Sequence, residues 1–299
     1  MESCDLPYFL TKEKIYLRQL PLIDCLERTE SVTLLLAGVY EIICLVSHGT
    51  FGTDQETDMN AVNQTLSNLK LRFPRTAIVV RSVLPGRRRH QKQFEGKTTQ
   101  EVFSKIYEEN YWGDAESRSG AGSTMDASAS IRSTLPGILS ELGARSILDA
   151  PCGDFNWMRS VDLGVERYIG GDIVPSLITR LKTEYADDSL RSFRVIDLTT
   201  DALPDVDVLF CRDCLQHLSV ALAQKVIENF RRSSCSHLIT TTFPDVKFNP
   251  DGFTGGMNTL NLQIAPFNLP VPTRLIEDHG SGDAVYRRCM GVWSREQLL

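Results

Sequence analysis

From Ser146 to Phe243, short apolar runs alternate with helix-like segments, and that alternation most constrains what the chain can fold into. The runs are Ser146–Ala150, Arg167–Asp172, Phe193–Asp197, Asp207–Cys211 and His237–Phe243. Each is strand-length and contains β-branched or aromatic residues. Between them, Pro175 opens one helix at the position where its missing N–H costs nothing. Leu222, Val226 and Phe230 mark one face of another helix, after Ser219. Such an order predicts a mostly parallel sheet with helices on both faces. Two late runs, near Arg274–Ile276 and Cys289–Trp293, have no obvious helix between them and fit an antiparallel pair at the sheet edge. Upstream, helices are predicted over about 100–110 and 126–142, joined by a loop of small residues from Ser117 to Thr124.

The first 95 residues are organised differently. Glu41–Val46 and Thr76–Ser82 read as strands, and Met59, Val62, Leu66, Leu69 and Phe73 form a helical stripe. Together they suggest a separate N-terminal α/β segment of unknown role over 1–95, ending in the basic linker Pro85–Lys97. The second domain is then 96–299. The most apolar stretch, Val32–Ser47, carries Glu41 and is shorter than the roughly 20 residues a membrane span needs, so no span is expected. A net charge of −6 gives no field that would gather nucleic acid, so no nucleic-acid partner is expected. The start, Met1-Glu2-Ser3-Cys4, lacks a basic region followed by an apolar core. Eight scattered cysteines then read as reduced thiols in a cytoplasmic protein.

In an open parallel sheet, ligands bind beyond the carboxyl ends of the strands. Asp149 starts a turn at such an end, and Gly153 allows a close approach of backbone to ligand. Asp172 ends the next strand, 23 positions later, a spacing that puts a carboxylate on ribose hydroxyls. Asp197 ends the third strand, placed for a purine amine. Taken singly, each aspartate is as well explained as a helix cap or turn residue; their repetition at three strand ends points to a nucleoside. The turn Ala150-Pro151-Cys152-Gly153-Asp154-Phe155-Asn156-Trp157 has one glycine and an added acid. It lacks the G-x-G-x-x-G pattern that cradles a pyrophosphate, which disfavours an NAD-dependent oxidoreductase.

The stretches LDAPCGDFNWM (Leu148–Met158), YIGGDIVP (Tyr168–Pro175) and CRDCLQHL (Cys211–Leu218) resemble a group of bacterial-type class I S-adenosylmethionine-dependent methyltransferase domains. The likeness spans about 100 to 299. It departs from the common acid-x-G-x-G-x-G turn at Pro151 and Asp154. The resemblance implies a Rossmann-like seven-stranded sheet, mostly parallel with an antiparallel edge pair, and S-adenosyl-L-methionine as cofactor. On the residues that match, Asp149, Ala150 and Gly153 would line the methionine side, and Asp172 with Ile173 would hold the ribose. Asp197 with Leu198 would reach the adenine. Arg212 joins this cofactor-binding set, or orients an anionic substrate. Trp112, Gly113, Ser119, Gly120 and Ser123 are candidates for a lid, although a plain helix–helix loop explains them equally.

The fourth strand's exit is where the acceptor is expected. His217 and Asp213, four apart, are the candidate bases, and a helix starting here would put them on one face. His217 is also explained as a packing residue. Cys211-x-x-Cys214 with His217 is an incomplete tetrahedral set, so no metal is expected. The long segment Pro244–Pro272 mixes amides (Asn249, Asn258, Asn261, Gln263, Asn268) with Phe248, Phe253 and Phe267, and is expected to form the substrate wall. The expected function is methyl transfer to an oxygen or nitrogen of a small molecule or glycan. The alternative is a methyltransferase-like module that binds without catalysing. Neither the acceptor nor the oligomeric state is legible.

Overall fold

A computed structural model describes residues 91–278 and 286–299. All of them belong to one compact unit, Phe73–Leu299. The expected N-terminal strands and helix, the stretch Val32–Ser47 and most of the basic linker lie outside the described residues.

Seven strands form one sheet: β1 (Ser146–Asp149), β2 (Arg167–Asp172), β3 (Arg191–Val195), β4 (Val208–Cys211), β5 (His237–Thr242), β6 (Arg274–Glu277) and β7 (Cys289–Ser294). Their order is β3-β2-β1-β4-β5-β7-β6. The first five are parallel, and β7 runs antiparallel between β5 and β6. This is the Rossmann-like seven-stranded sheet, mostly parallel with an antiparallel edge pair, that the sequence led us to expect. The order reverses between β1 and β4, which opens a crevice at their carboxyl ends.

Parity along the strands sorts the core into two layers, because successive strand residues face opposite sides. Ile147, Tyr168, Phe210, Ile239 and Val292 pack with α2 (Ala129–Glu141) and α3 (Pro175–Glu184). Their neighbours Leu148, Ile169, Leu209, Leu238 and Trp293 pack on the other face. There they meet α4 (Val220–Arg232), which buries Ala223, Val226, Ile227 and Phe230. A short α5 (Arg295–Leu298) follows β7. Ahead of the sheet, α1 (Thr99–Glu108) starts at a reciprocal cap in which Thr98 and Glu101 satisfy each other's backbone N–H. It buries Val102 and Ile106, onto which Phe94 packs, so the described end of the basic linker is already part of the fold.

The sequence places β3 over Phe193–Asp197; it runs over Arg191–Val195 instead. Asp197 therefore stands two residues past the strand, in a turn. Its Oδ1 accepts from the backbone N–H and hydroxyl of Thr199 at 2.8 and 2.6 Å.

Packing leaves little room at two glycines in β2. A Cβ on Gly170 would come within 2.5 Å of the buried Phe193 ring, and one on Gly171 within 3.0 Å of Ile196. The ring is wedged among Phe155, Tyr168 and Tyr185 and has no free direction. Gly170→Ala is expected to cost about 1–3 kcal/mol through overpacking, read as a lower denaturation midpoint at unchanged slope.

Candidate functional site

A cavity of about 440 Å³ opens at the reversal point between β1 and β4, within the range of small-ligand sites. Its wall carries Asp149, Ala150, Gly153, Asp172, Ile173, Asp197, Leu198, Arg212, Asp213 and His217. The sequence spreads these over 69 positions, and the sheet gathers them because each follows or ends a parallel strand. From the segment before α2, Trp112, Ser119, Gly120 and Ser123 join the wall; Gly113 does not. Gly113 instead sits in a turn at φ 69.

The turn after β1 is clasped by that upstream segment. Ser117 donates its hydroxyl to both Asp154 oxygens at 3.0 Å, and the Arg118 N–H donates to Oδ2 at 2.9 Å. The Asp154 N–H in turn donates to Ser119 Oγ at 2.8 Å. Gly153, at φ 54, lies so close beneath Ser119 that a Cβ would collide with its hydroxyl. Asp154, the added acid of this turn, is thus the anchor of a cover over it.

Both strand-end aspartates are buried and retain protons unusually well. Burial pushes the Asp172 carboxyl up to about 6, against backbone N–H donors from Val174 and Gly153. Asp149 is pushed up to about 7, chiefly by burial; the Tyr168 hydroxyl, donating at 2.5 Å, opposes this, and the charge of Asp172 adds to it. Each has spare lone pairs for a donor or a cation.

At the exit of β4, the structure corrects two roles. Arg212 is not free to orient an anion or hold the cofactor, although it lines the cavity. Its Nε and Nη2 donate to Asp278 at 2.8 and 3.3 Å, and its Nη1 donates to the Gly122 carbonyl at 2.8 Å. Asp213 is likewise engaged. It accepts from Arg288 at 2.9 and 3.2 Å and from Gln216 Nε2 at 2.7 Å, with Arg212 3.4 Å away. Despite its burial, these cations and donors hold its carboxyl below the usual range, so it is a poor proton acceptor. Nor does it share a helix face with His217. Asp213 takes φ 52, and the helical turn spans only Leu215–His217.

His217 is differently placed. Its Nδ1 lies 2.7 Å from the Gly256 carbonyl, which can only accept, so Nδ1 carries the proton and Nε2 keeps its lone pair. Burial pulls the imidazole below its ordinary value, outweighing the Gly256 carbonyl and Asp213. The Trp112 ring lies against it, with centroids 4.9 Å apart.

Sequence reasoning missed Asp278 and Arg288, the partners of Arg212 and Asp213 from 66 and 75 positions away. A fully buried Asp278 just past the edge strand left no periodic signal. Arg288 Nη2 lies 3.1 Å from Asp278 Oδ2 without hydrogen-bond geometry, and Gln216 Oε1 is buried with no hydrogen-bond partner. The amide-rich segment is also corrected. Asn249 donates to the carbonyls of Asn261 and Ala265, and Asn261 to those of Pro244 and Val246. These amides hold the loop's own shape, and only Met257 of this segment reaches the cavity wall.

The cysteines at 152, 211, 214, 235 and 289 are free thiols. Among the described residues no group of three or more His, Cys, Asp or Glu is arranged to hold a metal. No helix among them is long and apolar enough to cross a membrane.

No protein-family model matches the chain, and no curated protein matches it. Solved structures do show a likeness of fold. The N-methyltransferase NodS from Bradyrhizobium japonicum WM9, in complex with S-adenosyl-L-homocysteine, is 12% identical at a TM-score of 0.48, over 63% of this chain and 97% of that one. The magnesium protoporphyrin IX methyltransferase from Synechocystis PCC 6803, with bound S-adenosylmethionine, is 16% identical at a TM-score of 0.42, over 72% and 99%.

The proton held by Asp149 has a consequence for stability. An unfolded aspartate ionises near pH 4, whereas the folded one holds its proton to about pH 7. Between these values the folded state binds more protons, so this residue's contribution to stability falls as pH rises through that window and is level above it. Asp149→Asn is expected to match the parent at pH 4 and exceed it at pH 8. The gain accrues at no more than about 1.4 kcal/mol per pH unit, measured by urea unfolding at both pH values.

Proposed function

We propose that this chain is a methyltransferase that binds S-adenosyl-L-methionine in the β1–β4 cavity and methylates an oxygen or nitrogen of a small molecule or glycan. The observation that carries the reading is the pairing of three carboxylates, Asp149, Asp172 and Asp197, with a turn whose N–H groups from Cys152 to Asn156 are spent within the protein. The five backbone N–H groups from Cys152 to Asn156 are all committed within the protein. A pyrophosphate requires such donors free, so a dinucleotide is disfavoured. A nucleoside with a sulfonium and an ammonium, and no phosphate, fits the acidic wall.

Each Asp172 oxygen already accepts one N–H and retains a lone pair for a ribose hydroxyl. Asp197 keeps Oδ2 available for an adenine amine, with Leu198 and Ile173 supplying apolar walls. When bound, the cofactor supplies an electrophilic methyl group. The protein's own part is to orient the acceptor and take its proton. His217 is the base in this reading: Nε2 bears the lone pair, and burial keeps the ring neutral at pH 7. The proton lost by an acceptor O–H or N–H moves to Nε2. Asp213, held as a carboxylate by Arg288 and Arg212, favours the resulting imidazolium. Trp112 fixes the ring's plane.

Isothermal calorimetry with S-adenosylhomocysteine is expected to show binding that Asp172→Ala weakens at least about tenfold, the cost of a lost charged hydrogen bond. Binding also stabilises the ionised Asp172, so it releases protons near pH 6 and weakens as the pH falls below that value. Unchanged affinity in Asp172→Ala would show that the nucleoside lies elsewhere. In a screen for S-adenosylhomocysteine release, His217→Gln is expected to lower kcat about 100-fold or more with cofactor affinity intact. With cofactor saturating, the parent's rate should be level at pH 7–8 and fall on acidification through a value below the ordinary histidine range. Binding without release of product from any acceptor class would favour a non-catalytic module.

A further inference from the structure

This inference deepens the cofactor reading and rests on it. The amino-acid end of S-adenosylmethionine carries a carboxylate that loses water on entering the cavity, and a buried carboxylate needs a charged or hydrogen-bonded partner. In a glycine-rich turn, free backbone N–H groups serve. Here they are spent: Cys152 donates to the Gly171 carbonyl at 2.8 Å, Gly153 to Asp172 at 3.1 Å, and Asp154 to Ser119 at 2.8 Å. Phe155 donates to the Cys152 carbonyl and Asn156 to Asp154, both at 3.3 Å. Asp149 would meet the sulfonium and the ammonium, and no carboxylate of this wall can pair with the ligand's own carboxylate.

Three arginines line the cavity, and two are already matched. Arg212 and Arg288 sit between Asp213 and Asp278, with all four charges nearly buried. Arg118 is different: among the described residues it forms no ion pair. Among the described residues its guanidinium meets only the Glu108 carbonyl, at 3.5 Å, and the Tyr107 ring, 5.9 Å from the centroid. Both contacts are at the limit of their range. Its main chain, by contrast, is fixed, since the Arg118 N–H is bonded to Asp154 and flanked by the Ser117 and Ser119 anchors. The side chain therefore starts directly over the turn that the amino-acid end must approach. We infer that Arg118 takes the ligand's α-carboxylate, and that the cavity thereby selects nucleosides carrying an intact amino-acid tail.

The test compares S-adenosylhomocysteine with 5′-methylthioadenosine, which keeps the nucleoside and sulfur but lacks the carboxylate. Calorimetry on the full chain and on Arg118→Ala is the measurement. The side chain is exposed, so the fold is expected to survive, and circular dichroism checks it. Arg118→Ala is expected to raise the Kd of S-adenosylhomocysteine about tenfold, as befits a lost charge-assisted pair. The Kd of 5′-methylthioadenosine should stay within about twofold. Equal weakening of both ligands would mean that Arg118 acts by shaping the cover, and the carboxylate assignment falls. No change in either also overturns it and leaves the cofactor reading standing. Failure of the parent chain to bind either ligand would overturn the cofactor reading itself, and this inference with it.

Discussion

The buried contact between Arg212 and Asp278 ties together the parts of the structure that make the cavity. Arg212 leaves the end of β4, and Asp278 follows the edge strand β6. The same guanidinium reaches the carbonyls of Gly122 and Ala127, ahead of α2. One side chain therefore fixes the cover, the start of a helix, the centre of the sheet and its antiparallel edge. Arg288 and Asp213 complete a four-charge group with no net charge. Desolvating such a group is costly, and a hydrophobic replacement of equal volume is often no less stable. What it provides here is registry: removing one member leaves an uncompensated charge in the interior, and every segment it touches loses its position.

That neutral group also divides the cavity wall by function. Asp213 is occupied by two arginines, whereas the adjoining His217, with Nδ1 on the Gly256 carbonyl, keeps a lone pair on Nε2. The strain of Asp213 at φ 52 is sustained by the same contacts, aided by its N–H on Thr241. The turn after β1 follows a similar logic. Its amides from Cys152 to Asn156 are spent within the protein and its cover is fastened to Asp154, so the turn offers the cavity side chains rather than free backbone N–H groups.

Much of the fold was legible in advance because it rests on local periodicity. The strand runs at 146, 167, 208, 237, 274 and 289 appear where apolar alternation placed them, and Pro175 opens α3 as its ring requires. The third strand was shifted because Arg191-Ser192-Phe193-Arg194-Val195 is mostly exposed, and an edge position imposes little apolar pattern. The amide-rich loop misled for a related reason. Asparagine has the same chemistry whether it meets a sugar or a neighbouring carbonyl, and only the chain's path shows that Asn249 and Asn261 bond to the loop itself.

By itself the sequence determined that a sheet of this kind would form and that three aspartates would stand at or just beyond the ends of its first three strands. Strand length, side-chain parity and the position of a residue after a strand are properties of neighbouring residues, so a linear reading reaches them. The tertiary structure alone decided which charges are free. Arg118, Arg212 and Arg288 are chemically identical in the sequence. Ion pairs across 66 and 75 positions neutralise two of them, and among the described residues the third, over the turn, has none. Charge pairing is set by distance in space and by burial, and neither is encoded in spacing along the chain.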